Sequence, residues 1–411
     1  MTWKSIPLKR IATLTAGGTP SVHEPAHWAD SKSGHAWVTI GDMSTTDLVT
    51  ATNRHVSEEG LRSARLKVGS PGIILFSMYA SLGHTAQLGL PAAWNQAILG
   101  ITPSATADVR FLRYSLNALQ PRLAEQARSN TQANLNAEQV GNLPIPHPPL
   151  AEQRRIAGYL DVETGKLDHI LDARHHQIDL LDARQSALLE SHYSGTNAKQ
   201  IRLKHLVSRI TSGPRGWGDL TGDKGVPFIR ITNIPRRGIQ LDHADLVRIE
   251  PPSGHERERT RTKLGDVLIS ITADIGSVAV VDSSTVDGNV SQHIALVRPI
   301  KSACDPTWLA YAIKSPAISL QLTSKSYGGT KTGLGLGNIG ELQLPHTDLA
   351  TQERISHSIT DAMNSTEAIR DAITRQIHLL KERRQALITA AVAGQIDVTT
   401  ARGVSTEGVG V

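Results

Sequence analysis

Apolar residues recur at seven-residue spacing in two separate stretches of this chain. In the first, positions 160, 167, 174, 181 and 188 read Leu, Leu, Arg, Leu and Leu, with Leu171 and Ile178 between them. In the second, positions 359, 366, 373, 380 and 387 read Ile, Thr, Ile, Leu and Leu, with Ile369 and Ile377 between them. A sustained heptad places one apolar seam along a helix, so each stretch predicts a long helix with a coiled-coil face. Prolines at 144, 146, 148 and 149 mark an extended approach that ends where the first helix begins. Gly195 and Gly394 are the expected helix stops. A helix of roughly 40 residues at about 1.5 Å each makes a rod of about 60 Å. The seam can face either the helix's own lobe or the other helix.

The chain repeats itself, and the repeat favours pairing the two helices with each other. Leu143 to Ile156 recurs as Leu342 to Ile355 at an offset of 199, with Pro146/Pro345, His147/His346, Leu150/Leu349, Ala151/Ala350, Gln153/Gln352, Arg155/Arg354 and Ile156/Ile355 identical. The same offset runs without a gap to Gly195/Gly394. Fainter echoes link the preceding blocks. Val38-Thr-Ile40 matches Ile229-Arg-Ile231, Lys67-Val-Gly69 matches Lys263-Leu-Gly265, and Gln96-Ala-Ile98 matches Gln292-His-Ile294. The unit is a divergent lobe followed by a helical segment, used twice. Topology predicts that the helices pair antiparallel, because the second lobe must leave Gly195 and return to Pro345 while the lobes stay apart.

Inside the lobes the pattern changes from period seven to short β-branched runs bounded by Gly, Asp and Ser. Val38–Ile40, Gly72–Phe76, Val267–Ile271 and Val278–Val281 predict strands. Residues 111–123 and 307–322 predict one helix in each lobe, so the lobes are mixed α/β.

Composition changes the picture mainly through where the charge sits. The 411 residues carry a net charge of +5. Residues 1–142 have 12 Lys and Arg against 9 Asp and Glu, and residues 196–341 have 19 against 13. The segments 143–195 and 342–411 are net −3 and −1. All of the positive excess lies in the two lobes, which points to an anionic partner. The single cysteine, Cys304, excludes a disulfide framework and a multi-cysteine zinc site, and it suits a reducing, cytosolic compartment. The N-terminal residues lead into no apolar run, so no signal peptide is expected. No stretch of about 18 apolar residues predicts a membrane span.

The strings that come nearest to catalytic motifs fail on their context. His147-Pro-Pro-Leu150 lacks the amide and the aromatic of an adenine-gripping methyltransferase loop, and reads as punctuation at a helix entrance. Gly335-Leu-Gly-Asn-Ile-Gly340 fits a dinucleotide pattern, but a strand follows it where that motif needs a helix. No Walker A string and no His-Glu-x-x-His are present. Glycine-rich cationic loops remain as candidates for DNA contact. They are Gly17, Gly18 and Thr19; Arg215; Arg236 and Arg237; Arg261; and Lys325 with Lys331. No catalytic, cofactor-binding or metal-binding residue is expected.

The Pro-rich stretch Leu143 to Ile156, the heptad helix behind it, and their recurrence after a second divergent lobe resemble the specificity subunits of type I restriction–modification systems. Thr131-Gln132 with Asn134-Leu135 adds to the likeness, which extends to about residue 398. The second copy departs from the pattern at Gln343, Thr347 and Asp348, which is expected to loosen that helix entrance. The resemblance implies an α+β protein. Two mixed α/β target-recognition domains, residues 1–142 and 196–341, would be separated by two long antiparallel coiled-coil helices in 143–195 and 342–398. A tail at 399–411 would be disordered. It implies a non-catalytic, cytoplasmic subunit that reads a bipartite, asymmetric site in double-stranded DNA. Its partners would be two modification subunits with S-adenosylmethionine and two restriction subunits with ATP and magnesium. A coiled-coil scaffold whose lobes bind protein is the alternative; weak or salt-insensitive binding to duplex DNA would favour it.

Overall fold

The computed structural model describes residues 3–44, 46–79, 81–129, 134–194, 199–324 and 333–398. The tail 399–411, the stop Gly195 and the Thr131-Gln132 pair lie outside the described residues. The chain divides into two compact units, residues 1–174 with 375–411, and residues 175–374.

In the first unit, strands Ala12–Ala16, Ile98–Pro103, Ile74–Ser77, Thr85–Leu88 and Leu48–Val49 lie side by side in that order. A second sheet orders Trp28–Ala29, Arg54–Val56, His35–Val38 and Ala92–Trp94. Every residue of Ile74–Ser77 is buried. Period-two alternation explains this: Ile74 and Phe76 enter one core with Leu112 and Leu116, while Leu75 enters another with Val38, Val49 and Trp94. A strand covered on both faces needs an unbroken apolar run, and each such side chain contributes about 1.5–3 kcal/mol. Helix α1, Val109–Ser129, supplies Leu112 and Leu116. Helix α2, Leu150–Tyr193, is 44 residues long and is shared between the units.

The second unit repeats the plan. Strands Val207–Ser212, Ile294–Pro299, Val267–Ser270 and Val278–Val280 form one sheet, and Thr221–Gly222, Val247–Ile249, Val226–Ile229 and Asn289–Val290 form the other. Val267 and Ile269 face a core containing Trp308 and Leu309, and Leu268 faces the core of Ile229 and Val290. Helix α3 spans Pro306–Lys314 and helix α4 spans Pro316–Ser324. Sequence periodicity predicts one helix over 307–322. It breaks at Ser315, whose extended backbone (ψ 146°) is the conformation a following proline imposes. Helix α5, Leu349–Val392, again has 44 residues. Similarly, the strand expected over Val38–Ile40 stops at Val38. Thr39 caps a short helix, Ile40–Met43, through a reciprocal pair with Asp42.

The Pro-rich repeat has a structural use in both units. Pro144–Pro146 pairs antiparallel with Ser5–Pro7, and Gln343–Pro345 pairs with Gln200–Arg202. Each ribbon delivers the chain to a long helix whose first turn carries a buried glutamine. Gln153 donates to the Thr106 carbonyl (3.1 Å) and the Pro148 carbonyl (2.9 Å), and accepts from Asp108 N–H (2.8 Å). Gln352 does the same with Ala303 O (3.1 Å), Thr347 O (3.1 Å) and Asp305 N–H (2.9 Å). One amide thus ties each lobe to the base of its long helix. The departure at Asp348 does not loosen the second entrance. Its carboxylate accepts from Thr351 N–H at 2.9 Å and caps α5, which also holds its pKa below the usual carboxylate value.

Within the first unit α2 and α5 run antiparallel. Ile156, Ala157 and Leu160 pack with Ile388, Ala391 and Val392, and further along Asp168 accepts from Arg384 Nε at 2.7 Å. Within the second unit Asp182 pairs with Arg370, while Leu189 and Ile359 enter one core. The seam follows the predicted heptad through Leu160, Leu167, Leu171, Ile359, Thr366, Ile373 and Ile377. Towards the end of each helix it drifts by one residue: Leu189 is buried where Leu188 is expected, and its repeat mate Ile388 where Leu387 is expected. Arg370, in step with Ile377, takes the seam place expected for Ile369. An unstrained helix has 3.6 residues per turn, so a strict seven-residue pattern slips along it.

Candidate nucleic-acid interface

Each lobe has two ends along its central strands. At one end, Pro103 pairs with Ala12 and the chain turns to Asp108 and the Gln153 clamp. At the other, Leu99 pairs with Ala16, about 14 Å away at roughly 3.4 Å per residue. There three loops meet: 17–19 after the first strand, 78–79 after Ser77, and 95–97 before Ile98.

Backbone contacts hold these loops together. Gly17 N–H donates to Ile98 O (3.2 Å), Gly18 N–H to Trp94 O (3.0 Å) and Met78 N–H to Ala97 O (2.8 Å). Trp37 Nε1 donates to Gly18 O at 3.1 Å. A Cβ on Gly17 would sit 2.0 Å from Asn95 O, so only glycine permits this approach. In the second lobe Gly213 stands in the same place, with a Cβ position 1.9 Å from Val290 O. Ile271 N–H donates to His293 O at 3.0 Å, as Met78 does to Ala97. Gly17/Gly213, Thr19/Arg215, Arg65/Arg261, Gln96/Gln292 and Ala97/His293 all share an offset of 196.

The side chains on these loops are polar and reachable. Thr19 and Gln96 are exposed, and the Thr19 hydroxyl contacts Gln96 Oε1. Beside them, exposed Arg65 adopts a left-handed backbone (φ 53°), an uncommon state for a non-glycine residue. In the second lobe Gln292 Nε2 lies 3.1 Å from His293 Nε2, and His293 Nδ1 lies 2.9 Å from Thr272 Oγ1. Arg259 donates to Ser212 O at 2.9 Å and fixes the neighbouring helix His255–Thr260 against the strand.

The sequence candidates fall into three groups. Gly17, Gly18, Thr19 and Arg215 lie on the strand-end loops. Arg236, Arg237 and Arg261 are engaged in ion pairs: Arg236 with Asp274 (3.4 Å), Arg237 with Asp182 (3.1 Å), and Arg261 with Asp287 (2.8 Å) and Glu258 (3.7 Å). The Arg236 carbonyl also accepts from Lys314 Nζ (3.0 Å), whose burial pushes its pKa down to about 8. The Arg236–Arg237 turn thus touches α2 and α3 and, through Asp274, the turn that follows strand Val267–Ser270. Lys325 and Lys331 lie outside the described residues. Loop composition missed Arg65, Gln96 and Gln292. The offset of Arg65 from Arg261 would have found the first. Among the described residues no cluster of His, Cys, Asp and Glu could hold a metal ion. Burial raises the Cys304 thiol to about 12, far from a reactive thiolate.

Residues 1–176 and 225–379 match the family described as the type I restriction modification DNA specificity domain. The chain belongs to this family. Among its relatives, the specificity subunit of the type I restriction enzyme EcoBI from Escherichia coli is 21% identical over 356 residues, covering 79% of this chain and 74% of that one. The EcoR124I/EcoR124II specificity subunit, also from Escherichia coli, is 23% identical over 184 residues, 43% of this chain and 44% of its own. A chain from a structural study of complex assembly and conformational transition of the type I restriction–modification system superimposes with a TM-score of 0.72. It shares 18% identity over 96% of this chain and 98% of that one, which shows a common fold. As a type I specificity subunit, this chain has a role in DNA sequence specificity and is of a non-catalytic subunit class. No helix among the described residues is long and apolar enough to cross a membrane.

Proposed function

We propose that this specificity subunit reads a bipartite, asymmetric target in double-stranded DNA, with residues 1–142 and 196–341 as two target-recognition domains and 143–195 with 342–398 as the helical spacer. Two modification subunits carrying S-adenosylmethionine and two restriction subunits using ATP and magnesium are its proposed partners.

The observation that carries this reading is a shared scaffold with different tips. Gly17 and Gly213, and Gln96 and Gln292, occupy equivalent places, while their neighbours differ: Thr19 against Arg215, and Ala97 against His293. Equal frames with unequal side chains suit two readers of two different half-sites. The positive excess of both lobes suits phosphate contact. Exposed Arg65 and Arg215 lie at or beside the tips, whereas the charges of Arg237 and Arg261 are already offset by carboxylates.

Duplex binding measured against salt tests this. Binding is expected to weaken steeply with salt, and Arg65→Ala and Arg215→Ala should each lower the slope of log K against log[salt] by roughly 0.9. Binding that is weak and indifferent to salt would favour a protein scaffold instead.

A further inference from the structure

Gln96 and Gln292 are repeat mates, and both stand on a turn pinned from two sides. One side is the glycine-bearing loop, at 17 or 213, where no Cβ fits. The other is the backbone bond from Met78 to Ala97 O, or from Ile271 to His293 O. Each turn caps the central strand pair at the end away from the helix entrance. A glutamine placed this way offers a side-by-side acceptor and donor on a nearly rigid base.

That pair of atoms matches one edge of one base: adenine presents N6–H as donor and N7 as acceptor in the major groove. Neighbouring side chains orient both amides. The Thr19 hydroxyl lies against the Gln96 amide at Oε1, and a glutamine amide has a further lone pair and two N–H donors to offer a base. Gln292 is held by His293, and His293 by Thr272. When Gln292 Nε2 donates one hydrogen to His293 Nε2, the other hydrogen and Oε1 remain for a base. Held side chains lose less freedom on binding and discriminate better than free ones.

We infer that Gln96 and Gln292 each read the major-groove edge of one A·T pair, one in each half of the target. The inference rests on the reading of the lobes as DNA readers. It deepens that reading by naming the residue and the base.

Two measurements test it, both on the chain assembled with its modification subunits. Methylated adenines are first mapped in cells carrying the unaltered chain, Gln96→Ala, Gln96→Glu or Gln292→Ala. Gln96→Ala should make one A·T position of one half-site degenerate and leave the other half-site intact, and Gln292→Ala should do the converse. Gln96→Glu should shift its position towards cytosine, whose N4–H donates to a carboxylate. Duplexes carrying the mapped target are then given 7-deazaadenine at one adenine at a time, which removes only N7. The unaltered complex should lose about 5-fold or more in affinity at one adenine per half-site. Gln96→Ala and Gln292→Ala should each be insensitive at one of these two adenines. A variant that methylates nothing is decided by this binding measurement. Unchanged motifs in both alanine variants, or equal 7-deazaadenine effects with and without the glutamines, would overturn the inference. If the unaltered chain directs methylation to no bipartite site, the fault lies in the proposed function and not in these two residues.

Discussion

At the scale of single residues, two glutamines explain the chain's most regular motif. Gln153 and Gln352 are each about 1% exposed, and each satisfies three backbone groups that would otherwise be buried without partners. Leaving such a group unsatisfied costs about 1–3 kcal/mol. Gln153→Leu is therefore expected to destabilise the first unit by at least about 2 kcal/mol in urea unfolding, and Gln352→Leu the second by a similar amount. A leucine variant as stable as the unaltered chain would show that these bonds contribute nothing. The repetition of this glutamine was legible in the sequence, but its work was not. Two of its three partners lie some 45 residues upstream, around Asp108 and Asp305, and no local pattern reveals a bond across that distance. The same holds for Thr19 and Gln96, which meet only because Gly17 lets two loops touch.

At the scale of elements, the two long helices are equal in length but not in charge. Arg370 is buried and pairs with Asp182; Arg384 pairs with Asp168. The repeat mates of these residues are Leu171, Lys381, Gln185 and Glu367. In an antiparallel pair of two second-repeat helices, Arg370 would meet Lys381; in a pair of two first-repeat helices, Asp182 would meet Leu171. The Arg370–Asp182 pair thus favours one helix of each kind, whereas Arg384 would still meet a carboxylate, Glu367, in two second-repeat helices. Arg370→Asp should cost about 1–3 kcal/mol, because it sets a second carboxylate beside Asp182, whose side chain is itself partly open to solvent. Adding Asp182→Arg should restore about 0.5–1 kcal/mol of that in a double-mutant cycle followed by urea unfolding, less than a full exchange because position 182 also faces Arg237. If the two changes were merely additive, the pair would have no role in holding the helices. Helix existence and repeat register were legible from heptads and prolines. The one-residue slip to Leu189 and Ile388 was not, because a seven-residue template does not follow a 3.6-residue turn over about four heptads. The break at Ser315 was readable from Pro316, but the apolar pattern runs straight through it.

At the scale of the whole molecule, two units with the same plan and different tips imply separable specificities. Replacing residues 1–142 with the corresponding lobe of another specificity subunit is expected to change one half-site and leave the other. A change in both would mean that the lobes do not read independently. The division of charge between basic lobes and mildly acidic helices was plain in the sequence, and so was the twofold repeat. The tips were not, because three loops from distant parts of each lobe build them. The central claim is that this chain directs modification to one asymmetric target with two specific parts and an unread gap. Mapping methylated adenines in cells with and without the chain tests that claim most directly. The expected result is a methylated motif that appears only with the chain and has two unlike half-sites at a fixed separation. A single continuous motif, a palindromic one, or a pattern unchanged by the chain's removal would contradict it.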